Sequence, residues 1–354
     1  MRAIYFSEFQ GELSVKEVDA PKAPLNGVVI KVEATGLCRS DWHAWMGHDS
    51  DVALPHVPGH ELAGTIFEIG EGVTKFLVGD RVTVPFVNGC GKCPFCRSGN
   101  AQVCPSQTQP GFTQWGSFSE YVSIENADFN LITLPSEISF STAAALGCRF
   151  ATAFRGIVDR AKVQRGEWVA IYGCGGVGLS AVMIAKAVGA KVLAVDINPE
   201  ALVKATSLGA DYAINSALVN PVKVIHDVSD YGAHVSIDAL GSETTAKNSV
   251  LSLRRQGRHL QLGLLLTESG NTPMPMSRVI GWELDILGSH GMAAVDYPMM
   301  LEMVASGKLQ PQKLIDREVS LGVGANELAH MENSPNAGIT IITPQSESFH
   351  RRNE

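Results

Sequence analysis

The sequence predicts an α/β protein of two domains, one rich in β-strands and the other built on a doubly wound parallel sheet. The 354 residues exceed the roughly 250–300 that a single hydrophobic core usually reaches. Up to about residue 150, short runs of branched residues are interrupted by Gly and Pro, which is typical of strands and turns. From about residue 152, apolar runs alternate with helical segments, which is the pattern of βαβ units.

The first domain is predicted from its strand-like segments. Branched residues at 28–34 and 62–69 predict two strands, and the Gly79-Asp80 turn opens a third strand at 81–84. No long helical period occurs in this part of the chain, so a β-rich domain carrying loops is expected. From about residue 290 we expect the chain to return to this domain.

The second domain is predicted from alternating strands and helices. A strand at 168–172 leads into a glycine-rich loop and then a helix over 179–188. A strand follows at 191–195, and Pro199 predicts a helix start because Pro is well tolerated in the first turn. Further strands are expected at 212–214, 235–238, 259–262 and 284–287.

The glycine-rich loop has the G-x-G-x-x-G pattern of a dinucleotide-binding (Rossmann) domain. The first glycine permits a tight turn, the second admits a pyrophosphate, and the third lets helix and strand approach closely. Asp196, at the end of the next strand, is placed to bind the ribose hydroxyls and repel a 2′-phosphate, which favours NAD over NADP. A glycine-rich turn without a ligand is the alternative, which the flanking strand, helix and acid disfavour. The predicted contacts are Gly173, Gly175, Gly176, Val177, Gly178 and Asp196.

Four of the seven cysteines have the spacing of a zinc site. They follow the pattern C-x2-C-x2-C-x7-C within a lobe at 88–106. Four thiolates form a closed tetrahedral structural site. Disulfides or free thiols are the alternative, but this spacing in a chain without an export signal makes a disulfide knot improbable. The predicted ligands of this structural zinc are Cys90, Cys93, Cys96 and Cys104.

A second set of potential ligands is scattered along the chain. Cys38 lies in Gly-Leu-Cys-Arg-Ser-Asp, His60 in Pro-Gly-His-Glu, and Cys148 in Leu-Gly-Cys-Arg-Phe-Ala-Thr. Two cysteines and one histidine leave one zinc coordination position open for chemistry. Spacing alone does not connect the three, because a single Cys or His is more often simply packed or solvated.

Together these motifs identify the chain as similar to the zinc-dependent alcohol dehydrogenases of the medium-chain dehydrogenase/reductase superfamily. The motifs fall in the family's order over essentially the full length. The resemblance implies a GroES-like catalytic domain at 1–151 and 290–354 and an NAD-binding Rossmann domain at 152–289. It also implies a reversible, NAD-linked oxidation of a primary or secondary alcohol to an aldehyde or ketone by hydride transfer, with two zinc ions per chain.

The resemblance assigns roles to individual residues. Cys38, His60 and Cys148 hold the catalytic zinc, with Glu61 close to the metal and Asp41 orienting His60. The remaining roles concern the proton and the cofactor: Ser40 and His43 relay the proton to solvent, Arg39 contacts the pyrophosphate, and Thr152 lies beside the nicotinamide.

Two positions depart from the family pattern. Ile339 stands where members commonly carry an arginine that binds the pyrophosphate, and Ala201 stands where many carry a basic residue. We therefore expect weak NAD affinity, and a roughly ten-fold lower dissociation constant on replacing Ile339 by arginine. Trp45, Phe86 and Trp115 fall near positions that border the family's substrate pocket, although simple packing is as good an explanation.

Charge and the remaining alternatives limit the partners. Twenty-eight basic against 36 acidic residues give a net charge of −8, which offers nucleic acid or an anionic membrane no electrostatic attraction. With no apolar run of membrane length and no signal peptide, a cytoplasmic protein is expected. The expected partners are a small alcohol or carbonyl substrate and further copies of the chain, a tetramer by resemblance. A polyol dehydrogenase is disfavoured by Cys148, where those enzymes usually have a carboxylate, and a non-enzymatic relative by the intact ligands.

Overall fold

The computed structural model describes residues 1–265, 271–333 and 338–346. The chain divides into two compact units. The first contains Met1–Cys148, Gly291–Ala305 and Ile315–Glu354, and the second contains Arg149–His290 and Ser306–Leu314. Among the described residues, no helix combines the length and apolar character needed to cross a membrane.

The first unit is built on a seven-stranded sheet with strand order β14-β15-β3-β4-β5-β7, and β6 also pairs with β3. The sheet is antiparallel except for the β14–β15 pair. A separate antiparallel pair joins β1 and β2. The elements are β1 (Arg2–Tyr5), β2 (Ser14–Glu17), β3 (Val28–Gly36), α1 (Arg39–Trp45), β4 (Glu61–Ile69), β5 (Arg81–Thr83), α2 (Pro94–Arg97), β6 (Tyr121–Ile124), α3 (Ala127–Asn130), β7 (Ile132–Thr133), α4 (Phe140–Ala144) and, after the second unit, α11 (Tyr297–Ala305), β14 (Ile315–Val319), α12 (Leu321–Ala329) and β15 (Ile339–Ile342).

The branched residues that predicted β3 and β4 supply the core of this unit. Val28, Ile30 and Val32 of β3 pack with Leu62 and Ile66 of β4 in one buried apolar cluster. Both strands present several apolar side chains to the core, so burial of that surface fixes their register. Predicted zinc ligands lie near the ends of these strands, since β4 begins at Glu61 and β3 ends at Gly36, two residues before Cys38.

The second unit is a six-stranded parallel sheet with strand order β10-β9-β8-β11-β12-β13. The order reverses between β8 and β11, and ligands of such sheets bind beyond the carboxyl ends of the strands at this point. The elements are α5 (Cys148–Arg155), which starts at the last residue of the first unit's opening segment, β8 (Trp168–Tyr172), α6 (Gly176–Ala187), β9 (Lys191–Asp196), α7 (Pro199–Ser207), β10 (Tyr212–Asn215), α8 (Pro221–Ser229), β11 (Ala233–Asp238), α9 (Glu243–Leu251), β12 (Leu253–Gln261), α10 (Met276–Trp282) and β13 (Asp285–Gly288).

The predicted fold class is confirmed, with differences in detail. The strand predicted at 168–172 has the observed bounds, and the helix begins at Gly176 rather than at residue 179. Strand β12 starts at Leu253, six residues before the predicted residue 259. The polar Arg-Arg-Gln sequence that follows Leu253 lacks the apolar pattern by which strands are predicted. A register shift against β11 and a positive φ at Gln256 accompany that irregular start. In the first unit, α1 was not predicted as a helix.

Candidate functional site

The four lobe cysteines form a compact sulfur cluster in the first unit. Their Sγ atoms lie within 4.8 Å of one another. Cys90 Sγ is 4.0 Å from Cys96 Sγ, and Cys93 Sγ is 3.7 Å from Cys104 Sγ. A zinc ion with Zn–S bonds of about 2.3 Å spaces its four sulfurs about 3.8 Å apart. The cluster therefore fits a tetrahedral zinc, and none of these four cysteines forms a disulfide.

The protein backbone prepares this cluster for a cation. Cys96 N donates to Cys93 Sγ over 3.4 Å, and Cys90 N donates to Cys104 Sγ over 3.5 Å. Hydrogen bonds from the backbone of Lys92 and Cys93 lower the pKa of the Cys90 thiol to about 6. Burial acts in the opposite direction on Cys96 and raises its pKa. Four neighbouring thiolates repel one another unless a cation lies between them, so the lobe is suited to binding a dication.

The second cluster brings together Cys38, His60, Glu61 and Cys148, which the sequence separates widely. One ligand atom from each lies within 4.8 Å of the others. Cys38 is the N-cap of α1, Glu61 opens β4, and Cys148 opens α5. All four belong to the first unit. The first three are buried and Cys148 is partly exposed, so a ligand held here is largely removed from water.

A buried carboxylate fixes the orientation of His60. Asp41 Oδ1 lies 2.8 Å from His60 Nδ1, and neither side chain is exposed to solvent. The same carboxylate accepts from Cys38 N over 2.9 Å and from Gly59 N over 3.1 Å. Asp41 thus holds three groups in place: the backbone N–H of Cys38, the backbone N–H that precedes His60, and the His60 ring itself. Placing the proton of neutral His60 on Nδ1 leaves Nε2 as the lone-pair atom for a metal.

His60 Nε2 provides the test of fit for a metal. It is buried and has no hydrogen-bond partner among the described residues. A buried polar atom without a partner is costly, and a zinc ion shared with two cysteines satisfies it. Burial alone lowers the pKa of His60, but the Asp41 carboxylate raises it well above the ordinary value. Zinc must therefore displace a proton that Asp41 stabilises, as metal binding to histidine generally does.

Aromatic side chains surround this centre, and two of them, Phe112 and Tyr297, were not predicted. The Phe112 ring lies edge-on to His60 with centroids 5.3 Å apart, and Phe86 does the same at 6.0 Å. Tyr297 is fully buried and its hydroxyl has no partner among the described residues. Burial, followed by the nearby charges of Cys148 and Glu61, raises the pKa of Tyr297. Phe112 and Tyr297 lie outside the recognisable motifs, and only the fold reveals their position.

The predicted relay residues lie on α1. Ser40 Oγ is 3.8 Å from Cys38 Sγ, which places the hydroxyl beside a metal ligand. His43 is half-buried, and its Nδ1 lies 3.0 Å from the Nδ1 of His48. Burial lowers the pKa of His43, and the positive charges of His48 and Arg39 lower it further. His43 is therefore neutral at neutral pH and able to accept a proton.

The three predicted pocket aromatics have different positions. Phe86 lies against His60, as described above. The Trp45 indole instead donates to Gly11 O over 3.0 Å and packs against the apolar cluster around Phe6. Trp115 donates to Pro55 O over 3.0 Å and lines a surface cavity of about 660 Å³ that contains none of the four catalytic ligands. Of the three predicted aromatics, Phe86 is the one seen against a predicted zinc ligand within the described part of the chain.

In the second unit, each motif glycine has a distinct physical requirement. Gly173 adopts φ +90°, which favours glycine. A Cβ on Gly178 would lie 1.7 Å from Gly173 O, so that position admits only hydrogen. A Cβ on Gly175 would have nothing within 4 Å, which leaves open space before the N-terminus of α6. These are the tight turn, the close packing and the free approach that a pyrophosphate site needs.

Asp196 has a structural as well as a binding position. Its Oδ2 accepts from Cys174 N over 2.6 Å, and its Oδ1 accepts from Asn198 N over 2.8 Å. The carboxylate at the end of β9 therefore also holds the glycine loop in place. Val177 and Gly176 form the first turn of α6, where unpaired N–H groups are available to phosphate oxygens.

Three further residues belong to the region of the predicted cofactor site: Arg149, which was not predicted, and Thr152 and Arg39, which were. Arg149 packs over the loop, since a Cβ on Gly176 would lie 2.5 Å from Arg149 Cδ. Thr152 is buried on α5. Arg39 is exposed and its guanidinium lies over the Trp42 ring, 4.7 Å from the centroid.

The two departures from the family pattern are both buried. Ala201 lies on α7 with 5% of its surface exposed, and Ile339 lies on β15 with 0% exposed. An arginine at 339 would have to place its guanidinium in an apolar core. The burial of Ile339 argues against the expected ten-fold gain in NAD affinity on its replacement by arginine, because moving a charge into an apolar core costs more than such a gain.

Comparisons with known proteins agree with this geometry. Residues 25–136 match the family model of the alcohol dehydrogenase GroES-like domain, and residues 176–306 match that of the zinc-binding dehydrogenases. An alcohol dehydrogenase of Geobacillus stearothermophilus is 34% identical, covering 88% of this chain and 90% of the relative. An NAD-dependent alcohol dehydrogenase of Sulfurisphaera tokodaii is 31% identical, covering 97% and 100%. The solved alcohol dehydrogenase of Thermus sp. ATN1 superposes with a TM-score of 0.89 at 29% identity, covering 97% of this chain and 99% of that one. The chain therefore belongs to the zinc-type alcohol dehydrogenases of the medium-chain dehydrogenase/reductase superfamily.

Proposed function

We propose that this enzyme oxidises a primary or secondary alcohol reversibly, with NAD as hydride acceptor, at the centre formed by Cys38, His60 and Cys148. The observation that carries the proposal is the buried His60, held by Asp41 on one nitrogen and without a hydrogen-bond partner among the described residues on the other. Family membership supports the same activity. We further propose that each chain binds two zinc ions, because it contains two separate ligand clusters.

The protein groups at the catalytic centre set charge, orientation and proton transfer. Bound zinc supplies a Lewis acid for the alcohol oxygen, and bound NAD accepts the hydride. The thiolates of Cys38 and Cys148 balance the double charge of the ion, while Asp41 keeps His60 in the tautomer that binds through Nε2. Glu61 contributes a carboxylate at the same centre, so it is a candidate for transient coordination.

The alcohol proton needs a path out of a buried site. We assign the first step to Ser40 Oγ, which lies beside Cys38 Sγ, and the exit to His43, whose lowered pKa leaves it neutral and ready to accept a proton. On the resemblance, Arg39 contacts the pyrophosphate and Thr152 the nicotinamide. The glycine loop takes the phosphates, and the negative charge of Asp196 disfavours the additional phosphate of NADP.

The remaining proposals concern organisation. We assign 1–151 and 290–354 to the catalytic domain and 152–289 to the NAD-binding domain. The two compact units support this division, except that Ser306–Leu314 groups with the second unit. A homotetramer is proposed from the resemblance. A cytosolic location is proposed because thiolate zinc ligands persist in a reducing compartment.

The test combines a substrate panel with metal analysis. Zinc-loaded protein is incubated with NAD and primary, secondary, cyclic and aromatic alcohols while NADH absorbance is recorded, and NADP replaces NAD in a parallel series. We expect turnover with at least one class, a strong preference for NAD, and loss of turnover in Cys148→Ser with the fold retained. If protein that binds both zinc and NAD oxidises none of these alcohols, the proposed activity is wrong.

A further inference from the structure

His43 is joined by a second histidine that the mechanism above does not use. Helix α1 ends at Trp45, and Gly47, with φ +79°, turns the chain back so that His48 N donates to His43 O over 3.0 Å. The two Nδ1 atoms then lie 3.0 Å apart. A backbone hydrogen bond and a side-chain hydrogen bond thus connect the same two residues.

One aromatic ring supports both imidazoles. Trp42 lies edge-on to His43 with ring centroids 5.0 Å apart, and edge-on to His48 at 5.7 Å. The two imidazole centroids are 5.3 Å apart. Trp42 is buried, with 8% of its surface exposed, whereas His43 is half-buried and His48 is exposed. The pair therefore leads from a partly buried ring to a ring in contact with water.

A hydrogen bond between two Nδ1 atoms requires one donor and one acceptor. When neutral His43 carries its proton on Nδ1 and donates to His48 Nδ1, the Nε2 of His43 is a lone-pair acceptor. A proton that binds to His43 Nε2 allows the Nδ1 proton to pass to His48 Nδ1. His48 then releases its Nε2 proton to water, and each transfer forms one N–H bond and breaks another. The net effect is one proton moved from His43 to solvent.

The surrounding charges favour this direction. The groups that act on His43 are His48 and Arg39, whose positive charges disfavour a second cation, and Cys38, whose negative charge favours it. Two imidazolium rings with nitrogens 3.0 Å apart repel strongly, so protonation of one ring promotes deprotonation of the other. The 3.0 Å contact between the Nδ1 atoms thus gives a proton that arrives on His43 a direct route to the exposed ring of His48.

We propose that His48 positions the His43 ring and carries the proton released by alcohol oxidation from His43 to solvent. The inference rests on the proposed function, because it extends the relay assigned to His43 by one residue. His48 acts through His43 and is therefore a positioning and proton-exit residue.

Two substitutions separate positioning from proton transfer. In His48→Gln, the amide oxygen still accepts from His43 Nδ1–H but cannot carry a proton, whereas His48→Phe keeps a ring beside Trp42 and removes the hydrogen bond. His330→Gln is the matched control, since His330 is an exposed histidine of the same unit whose ring contacts Asn326 O of its own helix.

Kinetics provide the first measurement. For both His48 variants we expect kcat for alcohol oxidation to fall about 3–10-fold at pH 7, below the 10²–10⁴ of a direct acid–base group, because water partly replaces His48. The acid limb of the pH profile should move to higher pH, since a positive neighbour of His43 is lost. The kcat values of the variants should approach that of wild type above about pH 9, where hydroxide accepts the proton. Added imidazole should raise the kcat of His48→Gln towards the wild-type value at neutral pH. Profiles identical to wild type in both variants would overturn the proposal.

Nitrogen NMR provides a measurement that does not depend on turnover. In zinc-loaded protein without NAD, ¹⁵N shifts of the imidazoles should show the His43 Nδ1 proton in wild type and in His48→Gln, and a changed His43 tautomer or pKa in His48→Phe. An unchanged His43 signal in His48→Phe would refute the positioning role. An intact pair in a wild-type protein that oxidises no alcohol would instead refute the proposed function, and the exit role with it.

Discussion

Replacement of Asp41 by asparagine is the most direct test of how the catalytic centre is built. Asp41 is completely buried and accepts from His60 Nδ1, Gly59 N and Cys38 N at 2.8, 3.1 and 2.9 Å. Asparagine has nearly the same shape but only one acceptor oxygen, and its NH2 group is a donor. Whichever way the amide is oriented, at least one of the three donors faces another donor.

The magnitude follows from those contacts. A buried donor left without an acceptor costs about 1–3 kcal/mol. Loss of the carboxylate behind a metal-binding histidine typically lowers metal affinity about 10–100-fold, which corresponds to about 1.4–2.7 kcal/mol. For Asp41→Asn we therefore expect the affinity for the catalytic zinc to fall about 10–100-fold. We also expect the free energy of unfolding of the first unit to fall by about 1–3 kcal/mol. Each kcal/mol should lower the melting temperature by roughly 2–4 °C.

The assay is zinc transfer from the protein to a chromogenic chelator, combined with thermal unfolding. The zinc of the four-cysteine lobe serves as an internal reference, because Asp41 bonds to Cys38, Gly59 and His60 and not to a lobe cysteine within the described residues. Asp80→Asn is the control, since Asp80 caps an exposed turn by accepting from Leu77 N over 2.8 Å. If Asp41→Asn released its catalytic zinc at the wild-type rate, the orientation of His60 would not depend on this carboxylate.

Three further predictions concern the lobe and the nucleotide loop. Cys93→Ser should lower the zinc content by about one ion per chain and reduce thermal stability while catalytic zinc remains, which metal analysis and calorimetry can check. Gly178→Ala should destabilise the second unit by about 3 kcal/mol or more, because the new Cβ would lie 1.7 Å from a backbone oxygen. Gly175→Ala should instead weaken NAD binding and leave the melting temperature almost unchanged. Asp196→Asn should keep an acceptor for Cys174 N and reduce the preference for NAD over NADP about ten-fold in titrations; an unchanged preference would show that another group rejects the phosphate.

The glycine loop was predictable because its requirements are local. The positive φ of Gly173 and the contact of Gly178 with Gly173 O both arise within one short turn between a strand and a helix. The hydrophobic patterns of β8 and α6 likewise depend on neighbours in the chain. The contact of Asp196 with Cys174 N, which ties the loop to the next strand, and the packing of Arg149 over the loop were not anticipated.

The catalytic centre was predictable only in part, because its geometry depends on distant segments. Nothing in the spacing of Cys38, His60 and Cys148 brings them together, and the resemblance supplied that connection. Phe112 and Tyr297 belong to the part of the centre that could not be predicted. Phe112 lies in a loop and Tyr297 at the start of a helix, and neither has a distinctive sequence pattern. Their position beside the ligands is a consequence of how the seven-stranded sheet folds the chain.

Ile339 shows why a matched position does not determine its environment. The family pattern identifies Ile339 as the counterpart of an arginine, which suggested that arginine would restore affinity for NAD. In the structure Ile339 is the first residue of β15 and pairs with Ile315 of β14. All four residues of β15 are buried. A guanidinium at this fully buried position loses its hydration, which costs on the order of several kcal/mol. We therefore expect Ile339→Arg to lower the melting temperature without tightening NAD binding, whereas Ile339→Val should leave both nearly unchanged. A stable arginine variant with a lower NAD dissociation constant would show that the side chain can leave the core and reach the cofactor.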